Sequence, residues 1–444
     1  MGAFQSSVLA ELAWRDRIKD ITHPTELDKT LAEESVVLYA GFDPSADSLH
    51  VGNLVPLMGL AFFLRHGHRP IAIIGGATGR IGDPSGKSTE RTMLSDETVA
   101  HNLLGIERQL RAVLARAVEM HPETIGADVA RADDWEPMLM DNYDWFSQWS
   151  YIDFLREVGR YFRVNAMLEK DSVRSRLEER EQGISYTEFS YMLLQGFDFL
   201  HLREQHACKL QIGGADQWGN ITAGTDLIRR RSNHDAFGLT MPLLMSADGK
   251  KFGKTEQGAV WLDADKTSPY SFYQYWIQRP DEDAVMLLKT FTFLPQEEIE
   301  RVADDLANKR NPGQAQAKLA WEVTALVHGA PEADRARQAS QMLFGGRIEG
   351  LSDAELSSVF SEVPASELAR ARFEGEGVSL LELLVEVKLC PSKGEARRLV
   401  EQGGGYVNNE RADVQRKVTV ADCVGSRTIV LRAGKKSYHL LRLA

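Results

Sequence analysis

Short apolar runs and helical periodicities alternate along the first part of the chain. VVLYAGFD (36–43), PIAIIGG (70–76) and KLQIGG (209–214) are strand-like. Between them lie stretches whose apolar residues recur every three or four positions. These are NLVPLMGLAFFLRHG (53–67), Ser95 to Glu119, YTEFSYMLLQGFDFL (186–200) and Asn220 to Arg231. Strand and helix alternating at this spacing predict an α/β fold over about the first 240 residues, with a parallel sheet covered by helices on both faces.

From about Ser268 to Phe344 the strand signal vanishes. YSFYQYWIQ, DAVMLLKTF, QEEIERVADDLA, GQAQAKLAWEVTALVHG and EADRARQASQMLF read as helices parted by Pro280, Pro295, Pro312 and Pro331. The segment predicts a helical bundle of about 75 residues. A weaker, Gly-rich stretch from GGRIEGLSDAEL to ARFEGEG (345–377) suits a linker. Residues 378–444 read as helices followed by short strands, with GGGYVNNE (403–410) as the turn-rich joint. The expected division is therefore a sheet domain over 1–250, a lysine-bearing loop and helical domain over 251–345, a linker over 346–377 and a small α+β domain over 378–444. No internal repeat or low-complexity tract interrupts it.

Composition leaves this picture in place. At 43% apolar and 26% charged residues the chain matches an ordinary globular protein. No run of about 18 apolar residues is present to span a membrane. MGAFQSS at the N-terminus fits a loose myristoylation pattern, read as chance because no basic cluster accompanies it. It also lacks the basic start and apolar core of a signal peptide. Cys208, Cys390 and Cys423 fit neither a disulfide framework nor a zinc spacing, so the expected compartment is the cytosol.

Charge adds one asymmetry. The net charge is −12, yet residues 378–444 hold twelve Lys/Arg against seven Asp/Glu. A basic tail on an acidic body suggests that the tail meets phosphate, although scattered surface charge explains the count equally well.

Three segments carry candidate chemistry. GKKFGKT (249–255) and GDPSGKS (82–88) both look like phosphate-binding loops one residue short of the Walker spacing. EQGAVWLDADKTSP follows the first, and its Gly258 and Pro269 make a long helix there unfavourable. Lys250, Lys251 and Lys254 then belong to a mobile loop able to close over polyphosphate, or simply to a solvated charged linker. GATGRIGDPSGKSTER (76–91) leaves the strand PIAIIGG at the sheet edge where α/β proteins bind ligands. Lys87 and Arg91 supply cations there, and Asp83 an anion that could hold an ammonium. GFDPSADSLHVGN (41–53) follows the first strand and sets His50 and Asn53 on one face of a helix start, with Gly52 leaving room for a planar group.

In this order, HVGN, GGATGRIGDPSGKSTER, YTEFSYMLLQ, LQIGGADQWGN and KFGKT resemble the bacterial tyrosyl-tRNA synthetases, class I aminoacyl-tRNA synthetases with a Rossmann-type catalytic domain. HVGN stands at the HIGH signature of that class and KFGKT at its KMSKS signature. The resemblance covers essentially the whole chain, and it moves both lysine stretches out of the Walker class. It implies that Tyr39 and Asp198 meet the tyrosine hydroxyl, while Asp83, Tyr191 and Gln195 hold its ammonium. It implies that ATP meets Asp43, His50, Gly52, Asn53, Gly214, Asp216, Gln217 and Lys254. Ser45 and His50 would stabilise the γ-phosphate end, and Lys87, Arg91, Lys251 and Lys254 would surround the leaving pyrophosphate. Mg²⁺ is expected with the phosphates, no protein-bound metal is expected, and the family forms homodimers that share a tRNA. Independently of the resemblance, Tyr191, Gln195 and Asp198 lie at i, i+4 and i+7, hence on one helix face. Gln and Asp are poor core residues unless paired.

Two departures from the family pattern stand out. Asn53 replaces the usual second His, keeping a donor but losing the ability to titrate, and Pro56 falls in the first helical turn, where it is tolerated. The tail SKGEARRLVEQGGGYVNNE (392–410) resembles a small ribosomal-type RNA-binding domain. Lys393, Arg397, Arg398, Lys435 and Lys436 are its expected tRNA contacts. Two rival readings are a tryptophanyl-tRNA synthetase, which shares the fold, and a non-catalytic RNA-binding protein on a synthetase scaffold. Tyr39 and Asp198 oppose the first; His50, Lys87, Lys251 and Lys254 oppose the second.

Overall fold

The computed structural model describes residues 4–85, 94–125, 138–170, 173, 174, 177, 183–245, 252, 254, 255, 258–343, 348, 353, 356, 357, 360, 363–434 and 437–444. It divides into two compact units, Met1–Ala330 and Pro331–Ala444.

The first unit is built on six strands: β1 (Asp20–Ile21), β2 (Val37–Phe42), β3 (Arg69–Ile74), β4 (Met138–Asp141), β5 (Leu210–Gly214) and β6 (Phe237–Met241). Their order is β1-β6-β5-β2-β3-β4, antiparallel at β1–β6 and parallel elsewhere. The apolar runs read as strands are largely buried, and β6, which is not among them, is buried along its whole length. Both faces of such a sheet must be covered, as the expected α/β fold requires.

Helices α1 (Ser7–Trp14), α2 (Pro24–Glu33), α3 (Leu54–Arg65), α4 (Thr78–Ile81) and α5 (Asp96–Glu119) cover the first half. Pro56 sits in the first turn of α3, which is buried from Leu57 through Arg65. Helices α6 (Tyr143–Phe146), α7 (Tyr151–Glu157), α8 (Val164–Leu168), α9 (Tyr186–His206) and α10 (Trp218–Ser232) follow. Ser95 caps α5 by accepting from the Thr98 N–H, and Ser185 caps α9 by accepting from the Glu188 N–H. At residue 207 an alanine with φ 53° ends α9.

A short hairpin, β7 (Lys254–Thr255) with β8 (Gly258–Ala259), replaces a helix after KFGKT, as the Gly and Pro content predicts. Beyond it come α11 (Pro269–Ile277), α12 (Asp281–Phe291), α13 (Gln296–Ala307) and α14 (Gln314–His328), four of the five helices read from the sequence as one bundle; the fifth, EADRARQASQMLF, falls in the second unit. Arginines fasten helix ends within the first unit. Arg15, fully buried, donates to the carbonyls of Lys289, Thr292 and Leu294 at the end of α12. Arg65 does the same for α5, donating to Ala117 and Met120 O, and Arg116 donates to Val327 O of α14 at 2.6 Å. A cation at a helix C-terminus satisfies orphan carbonyls and meets the negative end of the dipole. Burial lowers the Arg65 guanidinium to about 10, still charged at neutral pH.

The second unit begins in helix α15 (Ala330–Leu343). Its strands β9 (Ala365–Leu368), β11 (Gly405–Val407), β12 (Glu410–Arg411), β14 (Thr428–Ala433) and β15 (Ser437–Leu443) form a sheet ordered β12-β11-β14-β15-β9. A small hairpin joins β10 (Val378–Ser379) and β13 (Lys417–Val418). Helices α16 (Leu380–Glu386) and α17 (Lys393–Glu401) share one apolar core with the inner face of the sheet, centred on Phe373, Leu380, Leu384, Val400, Ile429 and Leu441. Residues 365–368 lie inside the stretch read as a linker, yet they pair in parallel with β15.

Candidate functional site

The carboxyl ends of β2, β3 and β5 open into a cleft of about 380 Å³. Parallel strands end there with free backbone groups, and the helices that follow start there with free amides. The cleft is lined by Tyr39, Asp43, Ser45, His50, Gly52, Asn53, Asp83, Tyr191, Gln195, Asp198, Gly214, Asp216 and Gln217. The structure thus brings together every expected tyrosine and ATP residue whose side chain, or glycine backbone, it describes. Among the described lining residues four are carboxylates and none is Lys or Arg.

At the inner end Tyr39 and Asp198 are both almost fully buried. The Tyr39 ring packs edge-on against Phe199, and its hydroxyl has no hydrogen-bonding partner among the described residues. Asp198 accepts from Trp145 Nε1 at 2.9 Å and from Asn142 Nδ2 at 3.1 Å. Burial pushes the Asp198 carboxyl up to about 8, against the lowering effect of those two donors. Burial likewise raises the Tyr39 phenol, and the neighbouring carboxylate adds to the shift. Asn142 Nδ2 also donates to Thr78 Oγ1, which donates to Asp43 Oδ1 at 3.1 Å. One buried chain of polar groups therefore runs from the middle of α9 to the residue that follows β2.

Nearer the mouth lies a knot of amides. Asp83 accepts from Gln217 Nε2 at 2.6 Å and from the Ser85 N–H at 2.9 Å. Gln195 donates to Gln217 Oε1 and accepts from Asn220 Nδ2 at 3.0 Å. The Tyr191 hydroxyl donates toward the Asp43 carboxylate at 3.4 Å. The Asp83 carboxyl lies amid neutral donors, an arrangement suited to a small cation such as an ammonium.

At the outer end the HVGN segment closes on itself. His50 Nδ1 accepts from the Gly52 N–H and Asn53 Oδ1 accepts from the His50 N–H, both at 3.0 Å. With Nδ1 accepting, the proton of the neutral ring sits on Nε2 as a donor. A side chain at residue 52 would come within 2.8 Å of the His50 ring, so only glycine leaves this turn intact. Asn53 thus has a structural task beyond the ATP contact expected of it. Phe252, the second residue of KFGKT, has its ring 5.9 Å from Tyr275, 5.7 Å from Trp276 and 5.9 Å from Phe291. Lys254 is placed by its backbone in β7. Lys87, Arg91, Lys251, Lys435 and Lys436 lie outside the described residues.

In the second unit Lys393 and Arg397 share a face of α17 and are exposed, as is Arg398. Lys393 pairs with Glu382 at 2.6 Å, an exposed pair of small energetic weight that a phosphate could displace.

Sequence reasoning missed Asn142, Trp145, Thr78 and Asn220. Asn220 and Thr78 lie inside motifs quoted above; Asn142 and Trp145 come from DNYDW, where no periodicity points to them.

With this geometry in view, the comparisons agree. The model of the class I tRNA synthetases (W and Y) matches residues 31–345, and that of the tyrosine–tRNA ligase SYY-like C-terminal domain matches residues 355–441. The tyrosine–tRNA ligase of Opitutus terrae is 49% identical over 98% of this chain and 100% of its own length. That of Roseiflexus castenholzii is 50% identical over 99% and 100%. Among solved structures, a C-terminally truncated mitochondrial tyrosyl-tRNA synthetase of Aspergillus nidulans superposes with a TM-score of 0.68 at 31% identity, covering 76% of this chain and 94% of that one. Over both units the chain belongs to the tyrosine–tRNA ligases of class I.

Proposed function

We propose that the cleft activates L-tyrosine with ATP and passes it to the 3′ end of tRNA(Tyr), with the work divided among its residues as follows. Tyrosine enters ring first, its hydroxyl between Tyr39 and Asp198 and its ammonium at Asp83, Tyr191 and Gln195. A tyrosine carboxylate oxygen attacks the α-phosphorus of ATP, the bond to the β-phosphate oxygen breaks, and pyrophosphate leaves. Then a terminal ribose hydroxyl of the tRNA attacks the acyl carbon, and AMP departs. No protein nucleophile takes part, so positioning and charge carry the rate.

Asp43, Gly52, Asn53, Gly214, Asp216 and Gln217 line the path for ATP. Ser45 and the Nε2–H of His50 face the polyphosphate, with Lys87, Arg91, Lys251 and Lys254 as escorts for pyrophosphate. ATP arrives as its Mg²⁺ complex, and the ion belongs to the substrate. The observation that carries the reading is the buried Tyr39 hydroxyl, without a partner among the described residues, in a pocket with an equally buried carboxylate. Such a pair suits a phenol; phenylalanine leaves the Tyr39 hydroxyl unsatisfied and brings the carboxylate no further donor, the logic already known for this enzyme class at about 10⁵ in discrimination.

Lys393, Arg397, Arg398, Lys435 and Lys436 would grip tRNA phosphate. A homodimer is supported by an exposed apolar patch on α7, α8 and the start of α9: Tyr151, Ile152, Val164, Leu168 and Tyr186. The Tyr151 and Tyr186 hydroxyls lie 3.0 Å apart, so α7 and the start of α9 meet within the patch. A second copy covering it fits better than water. Three free thiols, and the lack of any described helix long and apolar enough to cross a membrane, support a cytoplasmic location.

The test is ATP–pyrophosphate exchange across the full set of amino acids. Tyrosine alone should sustain it. Exchange with tryptophan, or none at all, would overturn the reading.

A further inference from the structure

Helix α5 contributes nothing to the lining of the cleft, yet one of its faces carries two buried polar residues and a glycine. Asn102, Gly105 and Gln109 stand at i, i+3 and i+7 on that face. Asn102 is 4% exposed and Gln109 8%. Buried amides of this kind are retained where they hold something.

What they hold is the loop from Pro44 to Leu49, which lies between Asp43 and His50. Asn102 Nδ2 donates to Pro44 O at 2.9 Å. Gln109 Oε1 accepts from the Leu49 N–H at 2.8 Å, while its Nε2 donates to Ser48 Oγ at 3.1 Å. Between these two clamps, a Cβ built on Gly105 would fall 2.0 Å from Asp47 O. The absence of a side chain there lets the loop backbone lie directly on the helix. From the other side the loop is held by the stretch that follows β8. The Leu262 N–H donates to Leu49 O at 2.9 Å, the Val51 N–H to Val260 O at 2.9 Å and the Asp263 N–H to Ser48 Oγ at 3.2 Å.

We propose that Asn102, Gly105 and Gln109 are positioning residues for adenylate formation: they set the height of the 44–49 loop and so the placement of Ser45 and His50 against the polyphosphate. The inference rests on the role given above to Ser45 and His50. A backbone displaced by about 1 Å can cost on the order of 100-fold in rate even when the altered residue is remote from the reacting atoms. Tyrosine binding should be indifferent, since among the described residues no hydrogen bond ties Tyr39, Asp198 or Asp83 to this face.

Gly105→Ala is the sharpest variant. In a helix interior alanine is intrinsically better than glycine by about 1 kcal/mol, so a loss of activity cannot be laid to a weaker helix. Gln109→Leu removes both bonds at similar volume, and Gln109→Glu keeps the acceptor for the Leu49 N–H. The full chain of each variant is assayed for tyrosine Kd by equilibrium dialysis, for thermal midpoint, and for kcat and KM(ATP) in pyrophosphate exchange, with His50→Ala in parallel.

The expected result is a fall in exchange kcat of about 10- to 100-fold for Gly105→Ala and Gln109→Leu, with tyrosine Kd kept within about twofold and partial recovery in Gln109→Glu. Parental rates in both variants would overturn the proposal. So would a loss of tyrosine affinity in step with rate, which would mark general damage. If His50→Ala also retains full activity, the role given to His50 fails; if only the α5 variants do, that role stands and this inference alone falls.

Discussion

Replacing Tyr39 by Phe separates the cost of a polar group in the empty protein from its benefit to the ligand. The Tyr39 side chain is 1% exposed, and its hydroxyl has no partner among the described residues. Removing an unpaired buried hydroxyl takes away a desolvation penalty of about 1–3 kcal/mol, so the variant should melt no lower than the parent, and higher if the penalty is fully felt. Phe also keeps the edge-on contact with Phe199 at 5.3 Å, so no cavity larger than one oxygen is left. With tyrosine bound the balance reverses. One neutral hydrogen bond is lost, worth about 0.5–1.5 kcal/mol, which corresponds to a Kd about 2- to 13-fold weaker. Phenylalanine, with no hydroxyl to pair, should bind no worse than before, so discrimination shrinks by the same factor. Equilibrium dialysis with labelled tyrosine and phenylalanine, together with scanning calorimetry of the empty protein, measures both halves. An unchanged tyrosine Kd would place the hydroxyl away from the ligand. A midpoint lowered by several degrees would mean that the hydroxyl is satisfied inside the protein. Either outcome refutes the reasoning.

Further outcomes concern the carboxylate and the second unit. Asp198 titrates at about 8 in the folded empty protein, against about 3.9 for an unfolded aspartate. Between those values the folded state holds the extra proton, so the site's contribution to stability declines as pH rises from about 4 to 8 and levels off above. Asp198→Asn should therefore gain more in thermal midpoint over the parent at about pH 8 than at about pH 5, and a pH-independent difference would contradict the buried carboxyl. Tyrosine binding, which favours the ionised acceptor, should release a proton at about pH 6.5, seen as a buffer-dependent enthalpy in titration calorimetry; equal enthalpies in buffers of different ionisation heat would refute this. Ending the chain at Ala330, the boundary of the first unit, should leave pyrophosphate exchange within about twofold and abolish charging of tRNA(Tyr). Undiminished charging would remove the second unit from tRNA binding. A cut at 378 is the poorer test, because it strips β15 from β9 and leaves an unpaired strand behind.

Parts of this molecule could be read directly from residue order. The buried strands β2, β3 and β5 announced themselves as apolar runs, and Tyr191, Gln195 and Asp198 fell on one face because a helix repeats at 3.6 residues. The donors to Asp198 could not be read in this way. Asn142 and Trp145 straddle the end of β4 and a four-residue helix, too short for any period to show. Strand β9 was equally hidden. Its sequence ASEL alternates between exposed and half-buried positions and has little apolar content, so only the ladder offered by β15 makes it a strand. The α5 cradle sat inside a correctly read helix. Its meaning lay in what approaches the face, which no single-chain pattern encodes.

The arginines that fasten helix ends in the first unit have a consequence for sequence drift. Arg15, Arg65 and Arg116 all donate to main-chain carbonyls. A carbonyl of the backbone survives any exchange of the side chain attached to it, so half of each joint is immune to point substitution. Side chains at the ends of α12, α5 and α14 can change without breaking these bonds, although buried ones such as Ala117, Thr292 and Leu294 must still pack. The vulnerable half is concentrated in three guanidinium groups, and there even lysine, with one point charge in place of a planar fork, would leave carbonyls unanswered.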